Sequence, residues 1–291
     1  MMKSETDIAT AFAPGHITGF FIIHENKDPL LKGTTGCGLV LDKGVTSTVS
    51  LFPNSEDTKI CLNGSPVDAR VTAHLVKSLV DIPIWVSSVA EIPVGSGFGA
   101  SAAGALSTGY ALNELFSLGF SQNDIVEKVH VAEVLEGGGL GDVEAQAYGG
   151  AVIRKAPGPL TTTGKLDRIA CTSFEVHCVT LGSIPTKEVV ANPATVDRIN
   201  KSGRRSMKKL LACPTVENFM KVSRDFSLEV GLLSGKGEDA IEAVESSGGL
   251  ASQAMLGDSI FAISDNNCRE AVIESLEEFG NVMSSWVSGT Y

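Results

Sequence analysis

The segment Pro93-Val-Gly-Ser-Gly-Phe-Gly-Ala-Ser-Ala-Ala-Gly104 constrains this chain more than any other stretch. Gly95, Gly97 and Gly99 alternate, and Ser101 then opens a run of small residues. The apolar stretch Ile84 to Val89 predicts a strand before it, and Ala102 to Phe116 predicts a helix after it. Glycines let backbone amides approach an anion closely, and the first turn of a helix carries N–H groups with no intrahelical partner. Strand, glycine loop and helix in that order make a phosphate cradle.

Three kinds of cradle fit a first inspection. Gly95-x-Gly97-x-x-Ala100 satisfies the dinucleotide fingerprint as a string. That fingerprint needs a second parallel strand within about 30 residues, followed by an acidic residue for the ribose. Here Ala102 to Phe116 leads into a second helix, Asp124 to Leu135, and no strand is expected before Ala151. A Walker A loop needs a lysine and a hydroxyl after its last glycine. The nearest segment, Gly158 to Lys165, is one residue too long and is followed by Leu166. What remains is a glycine-serine loop without a loop lysine. Its amides hold phosphate, Ser101 ligates a metal, and carboxylates at Glu133, Glu136 and Asp142 lie downstream to complete the site.

The rest of the chain sets bounds. Its 291 residues suit one large domain or two modest ones, and the expected boundary falls at Ala156-Pro-Gly-Pro159. The segments Ala9 to Ala13, Gly19 to His24, Gly38 to Leu41 and Val45 to Leu51 read as short strands, with a turn at Asp42 to Gly44. Asn63-Gly64 marks a hairpin. Ser252 to Met255 and Ser259 to Ile263 read as a strand pair. A net charge of −11 argues against a nucleic-acid or anionic-membrane partner, though not against a small anion in a local basic pocket. The six cysteines form no C-x-x-C pair and fit reduced thiols in a cytoplasmic protein. Lys3, Glu5 and Asp7 are not followed by an apolar core long enough for a signal peptide, and no apolar run reaches membrane-spanning length.

With these residues in view, the chain resembles the GHMP kinases, the family of galactokinase, homoserine kinase and mevalonate kinase. The loop resembles that family's central P-x-x-x-G-L-G-S-S-A-A motif, with Phe98 for leucine and Ala100 for the first serine. Ala13-Pro-Gly-His16 resembles the first motif, His130-Val-Ala-Glu133 the helix with the Mg2+-ligating glutamate, and Gly139-Leu-Gly-Asp142 the loop with the catalytic aspartate. Ser252-Gln-Ala-Met-Leu-Gly257 resembles the third motif without its multiple glycines. Within the family, Ala11 to Phe21, Lys32 to Gly38 and Gly139 to Val143 most resemble the archaeal branch that phosphorylates pantoate on the route to coenzyme A.

The resemblance implies an α+β fold of two domains. Residues 1–158 would form an N-terminal domain like ribosomal protein S5 domain 2, and residues 159–291 a ferredoxin-like C-terminal domain. It implies ATP and Mg2+ as cofactors, pantoate as small-molecule partner, and leaves a homodimer open. Nucleotide contacts fall on Pro93, Gly95, Gly97, Gly99, Ala100, Ser101 and Ala102, metal contacts on Ser101 and Glu133, and catalysis on Asp142. The substrate's carboxylate calls for a cation, and Arg154 at a strand end is the first candidate, with Lys32 second. His130, His16 and Thr186 complete the expected substrate contacts. Each residue has a plainer alternative: a helix cap for Ser101 and Asp142, an exposed helix acid for Glu133, surface charges for Arg154 and Lys32, structural histidines for His130 and His16. Another small alcohol, such as homoserine, shikimate or mevalonate, and an inactive ligand sensor also remain open.

Overall fold

The computed structural model describes residues 8–52, 55–182, 184, 189 and 192–291. Its spine is a long antiparallel hairpin, β1 (Ile8–His24) with β2 (Gly33–Leu51). The expected short strands are therefore continuous, and the expected turn at 42–44 lies inside β2. Two register shifts, between Pro14 and His16 and between Thr18 and Phe20, explain the difference. At the first, residues 41–43 of β2 bulge opposite Gly15, and at the second Gly19 is the extra residue of β1; a bulge tolerates proline because no ladder hydrogen bond is required there. Gly44 permits the hairpin to close, since a Cβ on it would meet the Ala13 carbonyl oxygen at 2.1 Å.

Around the hairpin the other strands form one mixed sheet. The main path runs β4 (Ser65–Pro66), β3 (Lys59–Leu62), β5 (Ile84–Ala90), β2, β11 (Val282–Val287), β8 (Phe174–Gly182), β10 (Asp258–Ile263), β9 (Leu250–Gln253). β3 and β5 are parallel, whereas β6 (Ala151–Ala156) adds antiparallel to the first half of β2. β7 (Lys165–Arg168) folds back on β6, so the chain returns to this part of the sheet after Pro159. β11 joins the two ends of the molecule: Asp42 on β2 accepts hydrogen bonds from Ser285 Oγ at 2.5 Å and the Trp286 amide at 2.9 Å.

Helices α1 (Arg70–Leu79), α2 (Ala100–Leu115), α3 (Gln122–Glu136) and α4 (Asp142–Tyr148) serve the N-terminal half. α2 is the central one. Ala102, Ala103, Ala105 and Leu106 are fully buried, and its small residues let it lie close on β1 and β2. α3 starts at a capping box formed by Ser121 and Asp124. Helices α5 (Pro193–Ala212) and α6 (Val216–Val230) cover β1 from the opposite side. Asn200 clasps the Ile23 backbone, accepting from its N–H at 2.7 Å and donating to its carbonyl at 3.2 Å. α7 (Gly235–Ser246) and α8 (Arg269–Glu277) close a second core on β8 and β10 around Val179, Ile260 and Leu276. No described helix is long and apolar enough to cross a membrane.

Candidate active site

A cavity of about 1040 Å³ opens between the glycine loop, α2, the end of α3, the 137–142 loop and β1. Gly95, Gly97 and Gly99 all adopt positive φ, and Gly99, at φ 63°, is the N-cap of α2. The loop thus turns sharply and delivers the first amides of α2 toward the cavity. Ser101 is exposed on its wall. The loop is braced from the C-terminal half of the chain. A Cβ on Gly257 would meet the Ser96 carbonyl oxygen at 2.1 Å, and Ser259 Oγ donates to that oxygen at 2.8 Å.

Asp142 begins α4 and faces the cavity with its side chain a quarter exposed. Its Oδ1 lies 2.7 Å from Nδ1 of His16, which is completely buried. The other ring nitrogen of His16 lies 3.4 Å from Arg154 Nη1. Arginine can only donate, so Nε2 accepts and Nδ1–H donates to Asp142, which fixes a neutral imidazole between them. Burial lowers the His16 pKa more than Asp142 raises it, in keeping with that neutral form. For Asp142, burial pushes the pKa up, but the His16 hydrogen bond and the charges of His16 and Arg154 outweigh it and hold the carboxyl below its ordinary value. The register shift at Gly15 precedes the inward-facing His16, and Gly38 makes room, since a Cβ there would meet His16 Nε2 at 2.3 Å.

Arg154 is 2% exposed and lines the cavity, yet it forms no ion pair among the described residues. Its other hydrogen bond, Nη2 to Thr18 Oγ1, is 3.5 Å long, and Nε has no partner. Burial lowers its pKa, against the carboxylate of Asp142. Glu133, 1% exposed, is the opposite case. Burial, with the charges of Asp142 and Glu144 added, pushes its carboxyl well above the ordinary value, and Oε2 is without a partner. The cavity therefore carries a buried cation lacking an anion and a buried carboxyl lacking a cation.

Comparison with known proteins decides the family. Residues 69–150 match the profile of the GHMP kinases N terminal domain. A pantoate kinase from Methanocaldococcus jannaschii is 34% identical over 271 residues, covering 91% of this chain and 96% of the relative. One from Methanospirillum hungatei is 31% identical over 290 residues, covering 96% and 93%. The chain belongs to the GHMP kinase family. It is therefore a phosphotransferase with an alcohol group as acceptor. The solved structure of a phosphotransferase related to the CoA biosynthesis pathway superposes with a TM-score of 0.86 at 29% identity, over 97% of this chain and 96% of the other. Homoserine kinase from Cytophaga hutchinsonii shares the fold, with a TM-score of 0.73 at 16% identity over 99% and 97%.

In this GHMP kinase the structure gathers Gly95, Gly97, Gly99, Ala100, Ser101, Ala102, Glu133, Asp142, Arg154 and Lys32 around the cavity. Lys32 pairs with Glu25 at 2.9 Å on the same wall. Glu136 also lines it and accepts from His74 at 3.0 Å. Pro93 precedes the loop in the chain and does not line the cavity. Two expected substrate contacts stand behind the wall instead. His16 is the buried link just described. His130, 1% exposed, directs Nε2 to the carbonyls of Pro29 and Lys32, both at 3.0 Å, and Nδ1 to Glu144 at 2.5 Å. Its surroundings are all acceptors, and although burial opposes the charge, Glu144 and the two carbonyls raise its pKa. Thr186 lies outside the described residues. Thr18, Thr34 and Phe21 are wall residues that spacing did not single out. The bulge after Thr18 brings Thr18 and Phe21 to one face, and only the register reveals it.

Proposed function

We propose that this kinase transfers the γ-phosphoryl group of ATP to the 4-hydroxyl of pantoate, giving 4-phosphopantoate and ADP. One observation carries the choice of substrate: a buried guanidinium, Arg154, with no carboxylate partner among the described residues, one imidazole away from the aspartate that faces the cavity. A short hydroxy acid can put its carboxylate on Arg154 and its hydroxyl on Asp142 at once. The near full-length pantoate kinase relatives support the same substrate.

On this reading, the amides of residues 95–102 and the N-terminus of α2 receive the phosphates. Among the described residues the cavity's two side-chain cations are otherwise engaged, Lys32 with Glu25 and Arg154 with the substrate. Mg2+ fits the residues present. Glu133 is a buried carboxyl with an orphan oxygen, and Ser101 offers an exposed hydroxyl on the same cavity. Mg2+ commonly takes one or two protein oxygens and fills its shell with phosphate and water. When bound, it offsets the charge of the phosphates and polarises the group being transferred. Asp142 accepts the hydrogen of the 4-hydroxyl and aims the oxygen at phosphorus. Its lowered pKa makes it a weak base, so the proton passes to it late, as the new P–O bond forms and the bond to ADP breaks. His16 keeps the Asp142 carboxylate pointed into the cavity.

The proposal includes a cytoplasmic location and a homodimer. The open outer face of β1, β2 and β5, where Ile8, Phe12 and Val89 are 56%, 42% and 57% exposed, supports the dimer. The test of the function is ADP release with (R)-pantoate, homoserine, shikimate and mevalonate in parallel. Turnover is expected with pantoate. ADP release with another of these alcohols and none with pantoate refutes the assignment.

A further inference from the structure

Beside Arg154 the cavity is lined by the apolar side chains of Phe21, Ile23 and Met255. Across β1, β2 and β6, Phe21 pairs with Gly36 and Gly36 with Arg154. No side chain therefore separates the Phe21 ring from the guanidinium. Ile23 follows on the same face, paired with Thr34. Met255 closes the other side, tied to β1 by its amide donating to the Thr18 carbonyl at 2.8 Å. Phe21, Ile23 and Met255 are each 5% exposed, and each lines the cavity. Phe21 is held from behind by the Phe226 ring, with centroids 5.7 Å apart, and Met255 by the 254–257 segment that braces the glycine loop. Neither can retreat easily.

We infer that Phe21 and Met255 form a specificity wall for a quaternary carbon, so that this kinase selects its substrate by aliphatic branching next to the carboxylate. The inference rests on the pantoate assignment and deepens it. Pantoate is a 2,4-dihydroxy acid whose third carbon carries two methyl groups. With the carboxylate on Arg154 and the 4-hydroxyl on Asp142, that carbon lies between the two anchors, where Phe21, Ile23 and Met255 offer carbon and sulfur contacts, the Thr18 hydroxyl being turned to Arg154. An ammonium group presented to Phe21 and Met255 loses water to carbon and sulfur surfaces that do not replace it. Each methyl group transferred from water to such a surface is worth roughly a factor of four in binding, so the pair contributes about 15-fold.

The experiment compares kcat/KM for (R)-pantoate and for (R)-2,4-dihydroxybutyrate, which lacks only the methyl groups. The wild-type preference for pantoate is expected at about 15-fold or more. Met255→Ala and Phe21→Leu should each reduce it to below about fivefold, whereas Arg154→Ala should weaken both acids alike and leave the ratio in place. Calorimetry on the wild type gives a readout independent of turnover and of variant folding. 2-Hydroxy-3,3-dimethylbutyrate, which lacks the 4-hydroxyl that is phosphorylated, should bind about 15-fold more tightly than 2-hydroxybutyrate. Turnover of both dihydroxy acids with a ratio near one, or equal binding of the two monohydroxy acids, overturns the wall alone. Turnover of neither dihydroxy acid overturns the pantoate assignment and the wall with it.

Discussion

Gly257→Ala isolates the contact by which the C-terminal half of this kinase sets the shape of the phosphate loop. An added Cβ would lie 2.1 Å from the Ser96 carbonyl oxygen, 2.3 Å from its carbon and 2.6 Å from the Gly97 nitrogen. All three are backbone atoms, so no flexible side chain can swing away. Relief requires the loop and the 254–257 segment to part by roughly 1 Å, and overpacking of this kind costs about 1–3 kcal/mol. The displacement also pulls apart the Ser259 Oγ bond to the Ser96 carbonyl, and the amides aimed at phosphate move with it. A shift of that size at a phosphate site should raise KM for ATP by about tenfold or more, and because Met255 lies in the displaced segment, KM for the acceptor should rise too, by a smaller factor. Gly104→Ala is the matched control. A Cβ there meets nothing within 4 Å and sits inside α2, so alanine should stabilise the helix by about 0.5–1 kcal/mol. Steady-state kinetics and thermal melts of the two variants decide the matter. An unchanged KM for ATP in Gly257→Ala, with a melting temperature equal to wild type, refutes the argument that this contact shapes the cradle.

Three further outcomes follow from the buried groups. Arg154→Ala should raise KM for the acid substrate about 100-fold, the loss expected for charge-assisted bonds to one carboxylate, while KM for ATP stays within about threefold; the reverse pattern removes Arg154 from the substrate site. Because His16 helps hold Asp142 below its ordinary pKa against burial, His16→Leu should move the acid limb of the kcat–pH profile upward, and His16→Asn, whose amide can still donate to Asp142, should move it less. An acid limb that is identical in both variants and wild type counts against the pairing. Glu144→Gln breaks the buried pair with His130 and should cost about 3–5 kcal/mol at pH 6. The His130 pKa is raised in the fold, so its contribution is complete below the unfolded value of about 6.5 and fades as pH rises through the folded value. The melting-temperature gap between wild type and variant should narrow from pH 6 to pH 9, and a gap that widens contradicts the protonated state assigned to His130.

The parts of this molecule legible in the sequence are those whose causes are local. The turn at Asn63-Gly64 needs two residues with positive φ, and they have φ 50° and 81°. Ser121 and Asp124 cap α3 between themselves. The glycine loop announces its own turns and the helix that follows. The misread parts are those where a local signal has a distant reason. Pro14-Gly15 and Asp42 to Gly44 look like chain breaks, yet they face each other across the hairpin, where the bulge and the missing Cβ atoms are what let two long strands pair. Lys165 to Arg168 shows no apolar alternation because β7 is a short edge strand whose residues are mostly exposed.

His130 shows most clearly what spacing can and cannot decide. It precedes Glu133 by three residues, which suggests a shared face toward the cavity. Three residues turn a helix through about 300°, so the two side chains diverge by about 60°. In a thin wall that is enough to send Glu133 forward and His130 behind. α4 repeats the logic. Asp142 and Glu144 are two residues apart, about 200° around the helix, so when Asp142 faces the cavity Glu144 must face away. The histidine rejected by one helix and the carboxylate rejected by the other then meet behind the wall, at 2.5 Å. Sequence supplied both residues and both angles. What it lacked was that α3 and α4 flank the same cavity, and with that one fact the pair becomes the expected result.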